Sequence, residues 1–478
     1  MPRVVWIDFE DVFEYVEHQS RPSGIQRLAY ETASAMVERS GAGAVRFLRH
    51  NATGRTFYEV SWEDVRALFA QGSAAQQTSH TPARVVASAD TAALDAPPSL
   101  VRRGGRGLRR WLPADAWIPI RNVVVALIAL AHHSLVLLKA TARFPFRLLR
   151  KAPSAPLAVA GPKLRQSRPE AAFQRGDILL ALGSPWCCID YAERVQQAKE
   201  RHGIKFATLF YDLIPLRRPE WCDITLVKLF RRWFEANIGL CDMLFAISRA
   251  SADDLEAYAI EHGITLRDRV LPVPIGSDFP DTSAQTAPMD HLPAPGTYVL
   301  FVSTIEARKN HLLAFRTWAR LARSMPSDQV PTLVFAGRVG WLVADLMQQL
   351  SNTNYLDGKV MIVHSPSDAE LTALYRGCLF TFYPSLFEGW GLPVVEGLTF
   401  GKPCVCSNST SLPEAGGDLA RYFDPEDGHD AYRVIRAVLE DRPGLAEWEA
   451  RVVREFRPVP WTATANGLLA PMDIPPRA

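Results

Sequence analysis

Apolar and polar positions alternate along this chain in blocks. Short, mostly apolar runs occupy residues 4–8 (ending in Asp8), 45–48, 178–182, 206–210 and 243–247 of the first half. Between most of them, at 24–37 and 189–201 for example, apolar residues recur three or four positions apart. Runs of strand length that stay apolar on both faces, alternating with helical periodicity, predict a parallel sheet with crossover helices. The second half repeats this with runs at 298–303, 332–336, 360–363, 379–383 and 403–406. Among its helices, 311–323 places Leu312, Phe315, Trp318, Ala319 and Ala322 on one face. Residues 278–296, rich in Pro, Ala, Thr and Ser and without period, read as an interdomain linker. The pattern predicts two doubly wound α/β domains facing each other. Both sheets then present their carboxyl ends to one cleft, where such sheets bind ligands.

Residues 71 to about 170 fit neither pattern and read as an insertion. Its beginning, 76–99, has the small, polar composition of disorder. Residues 101–151 then hold eleven Lys or Arg against one acid, Asp115. At the centre lies 123–138, apolar except for His132, His133 and Ser134. Its sixteen residues fall short of the roughly 20 needed to span a bilayer. With its flanking arginines and Trp111 and Trp117, it suits a helix lying in an anionic membrane surface. The plainer alternative is an inserted helical pair packed on the first domain, its basic residues solvated.

Composition adds three limits. With 478 residues, 48% apolar and 22% charged, the chain is an ordinary globular protein. Lys plus Arg (53) and Asp plus Glu (51) nearly balance, so no global field recruits nucleic acid. The balance conceals an acidic body, 42 basic against 50 acidic residues, offset by the basic segment. Seven scattered cysteines with no CxxC pair suggest reduced thiols rather than disulfides or a zinc site. The opening MPRVVWIDF lacks the pattern of an export signal, and a cytoplasmic location is expected.

Chemistry concentrates in two segments. In 383–417 a strand ends near Tyr383 and a loop with Gly389 and Gly391 follows. Pro393 stands where the first helical residue is expected, and Gly401 where the helix should stop. Glycines let a backbone approach a ligand, and a helix amino end offers N–H groups to an anion. Glu388 and Glu396, eight residues apart, are expected to point into one cleft, with Glu396 suited to sugar hydroxyls such as a ribose. The alternative is that both acids merely favour a helix amino end. In 301–313, Arg308, Lys309 and Asn310 sit at the expected start of a helix. Cations are unfavourable there unless an anion, such as a diphosphate, lies in front.

Together these segments resemble the retaining glycosyltransferases of family 4, which have the GT-B fold of two facing Rossmann-like domains. Glu388 and Glu396 match the family's E-x7-E element, and ARKN at 307–310 resembles its E-P-R-K-N stretch, with Glu306 in place. Ser367, Asp368, Glu370 and Leu371 match its S-D-x-E-L helix, and 407–427 follows the family closely. In the first half SGIQR at 23–27, YDLIPL at 211–216, Ser248 and IGSDF at 275–279 resemble family elements. FRPVPW, ending at Trp461, resembles a tail that packs back on the first domain. The domains implied are 1–280 with the insertion, 281–457 for the nucleotide-sugar donor, and the tail 458–478. The family's histidine before Asp212 is Tyr211 here, and an arginine some members carry is Ser303, with Arg338 as a possible substitute.

The resemblance implies a metal-independent transfer of a hexose from a nucleoside-diphosphate sugar, GDP-mannose foremost, with no cofactor. Members with such G-I-Q-R and T-I-E-x-R-K-N variants are often mannosyl- or rhamnosyl-type transferases of bacterial surface polysaccharide, so a lipid-linked or oligosaccharide acceptor is expected. Glu388, Lys309 and Asp212 are then catalytic. Gly24, Arg308, Lys309, Arg338, Val363, Gly389, Gly391, Leu392 and Glu396 bind the donor, Val363 through its backbone to the base. Rival readings are an epimerase or phosphorylase on the same fold, and a non-catalytic scaffold of a membrane assembly complex. Deleting 101–151 should abolish liposome flotation of the protein while sparing nucleotide binding; unchanged flotation would refute the membrane reading.

Overall fold

The computed structural model describes residues 3–18, 24–50, 56–69, 84–86, 169–277 and 291–476. In it the apolar runs of the first half become a seven-stranded sheet. Its strands are β1 (Val5–Asp8), β2 (Val45–His50), β3 (Phe57–Val60), β5 (Ile178–Ala181), β6 (Lys205–Phe210), β7 (Met243–Ala246) and β8 (Leu271–Pro272), in the order β3-β2-β1-β5-β6-β7-β8. All neighbours run parallel except β2 and β3. Every residue of β1 and β5 is buried, which is why these strands, apart from Asp8 at the end of β1, read as apolar runs rather than alternating ones.

The second sheet contains β9 (Tyr298–Val302), β10 (Thr332–Ala336), β11 (Val360–His364), β12 (Thr381–Tyr383), β13 (Cys404–Ser407) and β14 (Ala420–Phe423), in the order β14-β13-β12-β9-β10-β11. At the β11 edge a further short strand, β4 (Arg84–Val86), adds antiparallel, pairing Val85 with Val363. Thus a piece of chain from the expected insertion completes the sheet of the second domain. The basic segment 101–151 and its apolar centre lie outside the described residues, as does 278–290 of the expected linker. Among the described residues no helix is long and apolar enough to cross a membrane.

The helix His311–Ser324 shows how packing refines a pattern. Its buried face runs through His311, Ala314, Phe315, Trp318 and Leu321, while Ala322 is exposed. Of the expected stripe, Phe315, Trp318 and Ala319 are buried and Leu312 half-buried; the buried arc is broader because this helix packs against both the sheet and the helix Gly428–Glu440. Trp318 is fully buried and satisfies its indole N–H on the Pro331 carbonyl at 2.9 Å.

The chain ends in the first domain. The helix Trp461–Leu469 packs on the helix Gly24–Ser40, and Ala465, Leu468, Leu469, Met472 and Ile474 join the core formed by Val5, Ile7 and Leu28. Gly276 donates its N–H to Thr464 Oγ1 at 2.9 Å, and a Cβ there would lie 2.3 Å from the Trp461 ring. Gly276→Ala should therefore lower the melting temperature, at a cost of about 1–3 kcal/mol from overpacking. Gly239→Ala, where a Cβ meets nothing within 4 Å, should leave it unchanged. Equal melting temperatures for the two variants would contradict this docking.

Candidate active site

The loop following β12 and the turn following β9 meet on one carboxylate. Glu388 is 7% exposed. Its Oε1 accepts from Lys309 Nζ at 2.6 Å, Tyr383 OH at 2.9 Å and Ser385 Oγ at 2.5 Å. Its Oε2 faces Arg308 Nη1 at 2.9 Å. Lys309 also donates to Tyr383 OH at 2.7 Å, and Arg308 bonds Glu306 Oε1 at 2.9 Å and the Phe387 carbonyl at 2.6 Å. Arg308 and Lys309 belong to a 3-10 turn, Ala307–Lys309, and Asn310 in the left-handed region (φ 60°) leads into the helix at His311. They are thus not in the first turn of that helix. The anion facing them in the structure is Glu388 itself.

Charge explains the pKa directions. Burial would raise the Glu388 carboxyl, but Arg308, Lys309 and the hydrogen bonds from Lys309 and Ser385 overcome it and hold it at about 2. For Lys309, burial and then Arg308 pull the ammonium below its ordinary value, while Glu388 opposes them. Asp212, in the first domain, lies within electrostatic reach of this cluster. Burial raises its carboxyl, Arg308 and Lys309 lower it, and Glu388 raises it again. Its Oδ1 accepts the Ile214 N–H at 3.0 Å. Asp212, Arg308, Lys309 and Glu388 are therefore brought together from both domains.

Glu396 has different surroundings. It accepts from Tyr375 OH at 2.6 Å, and Tyr375 stacks on Phe400 at 5.1 Å. Burial raises its carboxyl, while Arg27 of the first domain and the Tyr375 hydroxyl lower it. Glu388 and Glu396 thus have different partners, the first among Arg308, Lys309, Tyr383 and Ser385 and the second at Tyr375.

The glycine loop serves the domain contact. A Cβ on Gly389 would come 2.2 Å from the Tyr211 carbonyl oxygen. The Gly389 carbonyl accepts from Ser248 Oγ at 2.7 Å and Ser251 Oγ at 3.2 Å. On its Cα side, Gly389 thus approaches the other domain's backbone. Gly391, at φ 114°, is the N-cap of the helix Leu392–Thr399, so Pro393 occupies the second helical position and not the first. Leu392 lies beside Gly24, where a Cβ would make ordinary contact at 3.7 Å. Tyr211 is buried, and its hydroxyl donates to the Leu182 carbonyl at 2.5 Å.

Two further residues expected to bind the donor are Val363 and Arg338. Val363 is buried in β11, and its carbonyl already receives the Gly337 N–H at 3.0 Å; the sheet uses the backbone expected to hold a base. Arg338 is exposed, and its carbonyl accepts from Ile305 N–H at 2.8 Å. Sequence reasoning missed Tyr383, Ser385, Tyr375 and Arg27 as site residues. Tyr383 and Ser385 stood in the quoted loop, at a carboxyl strand end, and Arg27 closed the SGIQR run; Tyr375 carried no local signal. Among the described residues no three His, Cys, Asp or Glu side chains are grouped to hold a metal ion.

Because the folded Glu388 carboxyl lies below its ordinary 4.5, its ionised form contributes stability that is in place above that pH and is lost as pH falls toward 2. Glu388→Gln leaves Lys309 without its carboxylate partner and Arg308 with Glu306 alone, and should cost about 3–5 kcal/mol at neutral pH. It should also flatten the decline of melting temperature below pH 4.5. Wild-type and variant curves that stay parallel down to pH 2.5 would refute this assignment.

Residues 290–453 match the family model described as Glycosyl transferases group 1. The chain is 29% identical over 276 residues to the serotype-specific mannosyltransferase WbdA of Escherichia coli, covering 55% of this chain and 32% of WbdA. It is 27% identical over 286 residues to the O-antigen chain mannosyltransferase B of the same organism, covering 58% of this chain and 73% of that one. The chain thus spans about a third of the length of WbdA. A solved α,α-trehalose-phosphate synthase (UDP-forming) from Burkholderia xenovorans superimposes with TM-score 0.48 at 15% identity, covering 62% of this chain and 73% of that one. Two facing, Rossmann-like parallel sheets give the chain a GT-B architecture, and its residues 290–453 are a glycosyl transferases group 1 domain.

Proposed function

We propose that the protein is a retaining, metal-independent glycosyltransferase of family 4. It moves a hexose, mannose foremost, from a nucleoside-diphosphate sugar such as GDP-mannose to a hydroxyl of a growing, lipid-linked glycan of bacterial surface polysaccharide. The observation that carries this reading is the cluster of Arg308, Lys309 and Glu388, with Asp212 facing it from the other domain. The mannosyltransferase relatives support the choice of sugar.

Breaking the bond between an anomeric carbon and a diphosphate places negative charge on the departing oxygen. Fixed cations aimed at that oxygen stabilise it. Lys309 Nζ spends two of its three donors, on Tyr383 and Glu388, so the third serves the phosphate. Glu388 keeps both cations charged and oriented before the donor arrives. The acceptor hydroxyl attacks the face the diphosphate leaves, and its proton passes to the departing phosphate oxygen. Asp212, with its raised carboxyl pKa, orients that hydroxyl. Glu396, bonded to Tyr375 and within reach of Arg27, receives the ribose. Catalysis takes place at the inner face of the cytoplasmic membrane, with 101–151 on the anionic lipid.

The test is nucleotide release from a panel of nucleotide sugars, with a lipid-linked acceptor extract. One donor should be selected, and Lys309→Ala should lower its turnover on the order of 10²–10³ while the fold persists. Near-normal turnover by folded Lys309→Ala protein would remove the diphosphate from this cluster.

A further inference from the structure

One loop of the second domain exposes apolar side chains in succession. Past β10, Val339 is 40%, Trp341 41% and Leu342 60% exposed. The loop is nevertheless held in place. Ile305 N–H donates to the Arg338 carbonyl and Gly340 N–H to the Ile305 carbonyl, each at 2.8 Å, and a Cβ on Gly340 would come 2.8 Å from Thr304. Leu342 sits in the left-handed region at φ 59°, a conformation costly for a leucine. A strained, clamped loop that leaves its large side chains in water gains little from its own burial.

The loop reaches the other domain through Trp341. Trp341 Nε1–H donates to the Trp221 carbonyl at 2.9 Å. Trp221 is itself held under the Arg218 guanidinium, 4.1 Å from the ring centroid. The next residue, Cys222, is within electrostatic reach of Asp212, Arg308 and Glu306, so this turn borders the ion cluster. Ile305, to which the loop is clamped, directly precedes Glu306. Two tryptophans, one from each domain, thus meet at the edge of the site.

We propose that Trp341, braced against Trp221, is the platform on which the ring of the acceptor sugar stacks; this rests on the glycosyltransferase reading above. A hexopyranose has a face of C–H groups, apolar enough to cover an indole, and a rim of hydroxyls that need hydrogen bonds. Here the indole is exposed, and the guanidinium groups of Arg218 and Arg338 stand in the same two segments to serve the rim. A lipid tail has no use for those donors. The contact to the first domain favours the acceptor over the base of the donor.

The experiment uses the full-length protein, its selected donor, and methyl α-glycosides of mannose, glucose, galactose and rhamnose as acceptor probes. Trp341→Ala should raise the acceptor KM on the order of tenfold, as truncation of a central aromatic anchor does. Donor KM and the slow release of nucleotide to water should not move. Trp341→Phe keeps a ring but loses the bond to Trp221, and should recover most of the acceptor affinity. An unchanged acceptor KM in Trp341→Ala overturns the proposal. So does a raised donor KM, or a Phe variant as impaired as the Ala variant. A wild-type protein that releases nucleotide neither to sugars nor to water overturns the transferase reading, and this proposal with it.

Discussion

Everything around the second domain's site is arranged to keep one carboxylate charged in a place where charge is expensive. Removing a carboxylate and two cations from water costs several kcal/mol per ion, and mutual attraction repays it only with good geometry. Glu388 has that geometry: four contacts on two oxygens, each within 3 Å. Its partners come from three segments, the turn 307–309, the end of β12 and the loop after it. The glutamate ties these segments together alongside the bonds of Arg308 to the Phe387 carbonyl, of Lys309 to Tyr383 OH and of Leu386 N–H to the Arg308 carbonyl. Such a pair contributes less to stability than to a single defined arrangement of donors.

The same loop makes the contact between the two domains. The carbonyl of Gly389 takes hydroxyls of Ser248 and Ser251, while Glu414 accepts the Arg249 N–H at 2.9 Å at the start of the helix Arg249–Glu261. A helix amino end thus receives a carboxylate from the other domain, as the dipole favours. Because Glu388 and Gly389 are consecutive, the position of the buried charge and the closeness of the two domains are mechanically linked.

Much of this was legible in the chain before any coordinates. Continuous apolar runs become buried parallel strands because both faces are covered, and that signal is local. The cation pair before a helix announced an anion, and Glu388 with its glycines announced a loop built for close approach. What stayed hidden was relational. Gly389 also makes a domain contact, with the Tyr211 carbonyl more than a hundred positions away. β4 pairs with β11 across most of the chain, so no window of sequence contains the signal.

The helix Trp461–Leu469 also sets the order in which the molecule can be assembled. Ala465, Leu468 and Leu469 complete a hydrophobic core whose other members begin at Val5. During synthesis the first domain emerges early but lacks this part of its interior until more than 450 residues have been made. At about 5–20 residues per second, that interval lasts tens of seconds. The second domain, whose own core is contiguous in sequence from Val299 to Val452, can close first. The amino-terminal half of this protein is thus the last to be finished.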